Sequence, residues 1–127
     1  MGLEEKRKLK EIQDGPAKDI QTKLKALLGT DVPVEIDVAS FTDITSLNTL
    51  EHSGLASLVQ AIDEVTKDAI GKDALKDVLK KIVFRNLPNN SQYKVTFENG
   101  VFMNESSFGA GRYAGFGDMS RALSDKL

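Results

Sequence analysis

Glu35 and Asp37 stand two residues apart within residues 33–41, where Val34, Ile36 and Val38 alternate with them. Alternation at period two describes a strand with one buried and one wet face, and it sets both carboxylates on the wet side about 7 Å apart. With Asp31 before them and Asp43 after, such a set could hold a hard cation, serve a paired-carboxylate hydrolase or meet a basic partner. The calcium-loop order D-x-D-x-D-G with a distal Glu is missing. Acidic residues on an exposed strand also protect a sheet edge. Glu35, Asp37 and Asp43 are therefore read as partner-binding residues, and no metal site is expected.

Two other groupings carry chemistry. His52, flanked by Glu51 and Ser53, is the one histidine of the chain. It suits general acid–base work, but neighbours along a helix face different ways, so adjacency does not make a triad. The segment Gly109-Ala110-Gly111-Arg112-Tyr113-Ala114-Gly115-Phe116-Gly117-Asp118 is glycine-rich. Arg112 and Tyr113 are its anion-binding candidates, next to the N–H groups that open a last helix. It matches neither the Rossmann fingerprint, which follows the first strand of a βαβ unit, nor a P-loop, which needs Gly-Lys-Ser/Thr.

Lys72, Lys76, Lys80, Lys81 and Arg85 precede a hairpin, an order that invites a winged-helix reading for nucleic acid. The acidic pI of about 5.4 and a hairpin tip of Glu98-Asn99-Gly100 oppose it. Charge is unevenly spread. Residues 31–68 hold eight acidic side chains against Lys67 alone, a net of −7, whereas residues 1–30 and 69–127 are net positive.

Composition narrows the chemistry further. Without cysteine there are no disulfides, thiolate chemistry or Cys-ligated metals, and one histidine excludes multi-His sites. No cofactor is expected. The first residues are charged with no apolar stretch behind them, unlike a secretory signal, and no apolar run approaches membrane-spanning length. The expectation is a cytoplasmic protein with no membrane partner.

These residues need elements to position them. The apolar spacing predicts a short, frayed helix within residues 1–14 and a firm one from Pro16 to Leu28, with Gly29 as C-cap. A weak helical patch follows over residues 42–53. Gly54 divides it from an apolar-striped helix that begins at Leu55 and ends at Gly71, and Asp73 caps the next. Residues 82–87 read as a strand. Residues 93–98 and 101–105 flank Asn99-Gly100, the strongest short hairpin signal, which pairs Glu98 with Val101, Phe97 with Phe102, Thr96 with Met103 and Lys94 with Glu105. The reading is a single α+β domain over residues 1–127, in the order α-β-α-α-α-β-β-β-α. Its three or four strands are mostly antiparallel and its helices lie largely on one face.

Three functions fit, in this order. The first is a non-catalytic binding, adaptor or inhibitor-like protein using its acidic middle on a basic protein partner. The second is a carboxylate- and His52-dependent enzyme beside the glycine-rich loop. The third is a nucleic-acid binder.

Overall fold

The structure, a computed structural model, describes residues 2–127; Met1, at the tip of the expected frayed segment, lies outside them. Helices α1 (Leu3–Asp14) and α2 (Pro16–Leu28) meet at Gly15, with Pro16 in the first turn of α2 and Gly29 closing it at a φ of 76°. Leu9 and Ile12 of α1 are buried, so this helix is docked.

Strand β1 is short (Val34–Ile36), and the chain then leaves the extended form. Residues 38–40 make a 3₁₀ turn, which Asn86 holds by donating its Nδ2 to the Ser40 carbonyl and its backbone N–H to the Ser40 hydroxyl. The alternation expected to Phe41 therefore gives a strand of only three residues, and Phe41 turns fully inward.

Helix α3 (Ile44–Thr49) passes without a break through a π-helical turn (Leu50–Leu55) into α4 (Ala56–Val65). Gly54 is no divider. It sits inside the π turn because the Phe108 ring takes the space of a side chain. Helix α5 (Ala69–Val78) is capped by Asp68, whose Oδ1 accepts from Gly71 N–H at 2.8 Å, rather than by Asp73. Gly71 lies in its first turn, where a Cβ would fall 1.9 Å from the Val65 carbonyl oxygen at the end of α4.

Strands β2 (Lys81–Asn86), β3 (Lys94–Glu98) and β4 (Val101–Ser106) complete the sheet, and α6 (Phe116–Ser124) closes the chain. All four expected hairpin pairs are present, and Asn99 and Gly100 have φ of 53° and 81°, as a type I′ turn requires. The strand order is β1-β2-β4-β3. It forms an α+β domain with a four-stranded mixed sheet.

The expectation of mostly antiparallel strands needs correction, because β1–β2 and β2–β4 both run parallel. The helices between β1 and β2 carry the chain back to the starting end, which is how parallel neighbours are joined. The loop after β2 then passes over the end of β4 to the far edge. The Ser107 hydroxyl lies 2.7 Å from the Pro88 carbonyl oxygen and 2.9 Å from that of Ser91, pinning the loop there.

Register puts Val34, Ile82, Phe102 and Phe97 in one row, with Ile36, Phe84, Asn104 and Val95 in the next, all on the helix-covered face. These join Leu24, Leu47, Leu58, Ile62 and Met119 in one core. Among the described residues the helices pack on this face.

Candidate functional site

The other face of the sheet is open. Its central row, set by the same register, is Glu35, Val83, Met103 and Thr96. The row toward the start of β2 is Lys81, Val101 and Glu98, and the row toward its end is Arg85, Glu105 and Lys94. Asp37, whose N–H donates to the Phe84 carbonyl, extends that last row beyond β1. Val83, Val101, Met103 and Thr96 are partly exposed. An apolar centre is thus framed on both sides by charge.

The frame is ordered by ion pairs. Arg85 Nε lies 2.9 Å from Asp37 Oδ2, and its Nη1 lies 3.2 Å from Glu105 Oε2. The hydrogen bond that this guanidinium donates to Asp37, with the charge of Glu105 beside it, raises its pKa above its ordinary value. Lys81 Nζ reaches Glu35 Oε2 at 3.1 Å. Lys94 stands opposite Glu105 in the hairpin register.

Glu35 and Asp37 therefore share this face, as expected, but each already holds a basic side chain. Asp43 is elsewhere, capping α3 by accepting from Ser46 N–H at 2.6 Å. The rest of the acidic block is similarly occupied. Asp31 pairs with Lys25, Glu51 with Lys8, Asp63 with Lys23 and Glu64 with Lys67, while Asp68 caps α5. Lysines from the flanking segments fold back onto the block and leave a surface of mixed sign.

The residues of the enzyme reading are dispersed. His52 is 73% exposed on the π turn, with Nε2 3.2 Å from Glu51 Oε1. Glu51 borders an apolar pocket of about 340 Å³ between α2 and α4, lined by Ile20, Leu55 and Val59. Asp43 lines a separate groove near Pro88, and Arg112 and Tyr113 line another with Gln92 and Tyr93. None of these three pockets, and no hydrogen bond or ion pair among the described residues, joins these sets.

Arg112 is solvent-exposed. Its backbone pairs with Ser107 in both directions, closing residues 107–112 into a compact turn. The Asp118 carboxylate accepts from Gly115 N–H at the start of α6, so a negative charge already sits there. The basic residues expected on one helix are likewise split. Lys81 and Arg85 lie on β2 in ion pairs, and Lys72 and Lys76 remain on α5. Among the described residues no group of three or more His, Asp or Glu side chains is placed to hold a metal, and no helix is long and apolar enough to cross a membrane.

Sequence reasoning missed Val83, Val101 and Met103 as surface residues, although β4 offered the signal. Asn104 and Ser106 hold its inward positions, so the apolar Val101 and Met103 must face out. Inside, the Asn104 amide donates to the Ala114 carbonyl at 3.3 Å and its oxygen accepts from the Ser106 hydroxyl. That hydroxyl in turn accepts from Ala114 N–H at 3.0 Å, tying the entry of α6 to β4. Comparison with known proteins adds no relative: no protein-family model, curated protein or solved structure matches this chain.

Proposed function

We propose that this protein is a non-catalytic binding module that receives a partner protein on the open face of its sheet. The observation that carries the reading is the juxtaposition, on one uncovered face, of partly exposed Val83, Val101 and Met103 with the flanking Glu35–Lys81 and Asp37–Arg85–Glu105 pairs. A partly exposed apolar centre inside a polar rim is the anatomy of a recognition patch.

Glu35 and Asp37 remain partner-binding residues in this reading. The basic partner suggested by the acidic block is narrowed to one that offers an apolar centre flanked by basic groups for Glu35, Asp37 and Glu105. Because those carboxylates already share Lys81 and Arg85, added salt should weaken the complex only moderately.

A photoreactive amino acid at position 103 or 83, expressed in the cells that make this protein, tests the idea. The same adduct is expected from both positions, reduced by Arg85→Glu and missing when the probe is at position 76 on α5. Equal labelling from position 76, or no adduct from 83 and 103, would count against the open face.

A further inference from the structure

We propose that two copies of this chain pair through the outer edge of β3, antiparallel about a two-fold axis at Thr96. This joins their four-stranded sheets into one continuous sheet.

The edge is built for pairing. β3 is the last strand in the order β1-β2-β4-β3. The tight hairpin makes Glu98, Thr96 and Lys94 exchange backbone hydrogen bonds with Val101, Met103 and Glu105, which turns the N–H and C=O groups of Val95 and Phe97 outward. Neither N–H finds another acceptor among the described residues. A groove of about 370 Å³ lies beside the strand, lined also by Asp118, Arg121, Ala122 and Asp125 of α6, and among the described residues no further strand pairs with this edge.

The side chains select a second copy as the occupant. Around a two-fold axis at Thr96, Lys94 faces Glu98 of the second copy and Glu98 faces its Lys94, forming two opposite-charge pairs on the open face. Val95 faces Phe97 on the helix side, and these are the residues whose backbone groups point outward. A shift of two residues either way sets Lys94 or Glu98 opposite Thr96 and leaves the charges without partners. The groove also balances Lys94, Arg121 and Lys126 against Glu98, Asp118 and Asp125, so two identical surfaces do not repel. Such a contact is self-complementary and closed. It extends the open face across both copies and puts all eight strands in one layer. In a lone chain, Lys94 and Glu98 would guard the edge against random pairing; in this register the same charges become the specificity.

The test uses the absence of cysteine. Thr96→Cys would place two thiols across the axis in a non-hydrogen-bonded pair, where Cα atoms lie about 4.5 Å apart, within disulfide reach. Mild oxidation should convert this variant to a covalent dimer of twice 13.9 kDa, far faster than Lys76→Cys on the surface of α5. In sedimentation, Lys94→Glu should shift the wild-type dimer to monomer, and Lys94→Glu with Glu98→Lys should restore it. Far-UV circular dichroism reports whether each variant folds, and the Thr96→Cys result stands without the charge variants. The proposal is overturned if wild type sediments as a monomer at its highest soluble concentration. Equal cross-linking from positions 96 and 76 also overturns it, as does a monomer whose β3 edge is taken by an added extended peptide. A monomer would leave photoadducts from position 103 intact, so the two readings fail separately.

Discussion

A Cβ on residue 54 would lie 3.0 Å from Cε1 of Phe108, a fully buried ring that itself packs 5.6 Å from Phe41 and 6.2 Å from Phe84. The π turn is thereby seated on the segment that follows β4. Helix propensity alone would favour Gly54→Ala by about 1 kcal/mol. Overpacking a ring held between Phe41 and Phe84 costs about 1–3 kcal/mol, so the variant should be net destabilised by about 1 kcal/mol in urea unfolding. Adding Phe108→Leu makes room. The double variant should then lose less than the sum of the two single losses.

Phe102 and Met103 are sequence neighbours on opposite faces of β4, and their variants should diverge. Phe102 is fully buried and meets Phe97 edge-on at 5.9 Å, so Phe102→Ala should cost about 3–5 kcal/mol. Met103 lies partly exposed on the open face, and Met103→Gln should stay within about 1 kcal/mol of wild type. Similar unfolding midpoints for the two variants would mean that the open face is part of the core.

The hairpin turn should be intolerant at its second residue. Gly100 has a φ of 81°, and a Cβ there would lie 2.4 Å from Lys80 Cγ and 3.0 Å from the Val78 carbonyl oxygen. The Lys80 side chain can move aside, but the carbonyl cannot. Left-handed backbone costs a non-glycine residue about 1–2 kcal/mol. Gly100→Ala should therefore lose about 2 kcal/mol or more in thermal or urea unfolding, since the Val78 contact adds to that strain. Asn99→Gly should be close to neutral, because it keeps the positive φ available.

This hairpin was legible in the sequence because its determinants are local: two turn residues, then side chains that match across them. The neighbours of β2 were not legible. Its pairing with β1 depends on where three helices return the chain, and its pairing with β4 on a loop that passes over a strand end. Asp73 reads as a cap in the sequence, but the helix starts earlier, with Asp68 accepting from Gly71 N–H where Gly71 packs closely on the Val65 carbonyl. The charge block misled for the same reason. Counting residues 31–68 revealed eight acids, but Lys8, Lys23, Lys25, Lys81 and Arg85 reach them from outside the window. Glu35 and Asp37 were placed on the wet face correctly, while their occupancy was a tertiary fact.

The ion pair of Lys8 with Glu51 links α1 to the π turn, and its side chains are only 18% and 17% exposed. The hydrogen bond that Lys8 donates to Glu51 is the largest influence on its ammonium and raises its pKa above the ordinary 10.5, against the opposing effect of burial. A cation whose pKa is raised by folding adds stability that is complete below its unfolded pKa and is lost as pH climbs through the folded value. Lys8→Met should therefore be less stable than wild type by about 1–2 kcal/mol at neutral pH, because it leaves a half-buried carboxylate without its closest cation. That difference should hold steady to about pH 10 and shrink above it, as wild type loses the same charge. Other lysines also titrate there, so the measurement is the gap between the two urea midpoints across pH, not either curve alone. A gap unchanged well above pH 11 would assign the role of Lys8 to its methylene stem packing beside Glu51. A gap that closes would assign it to the ammonium.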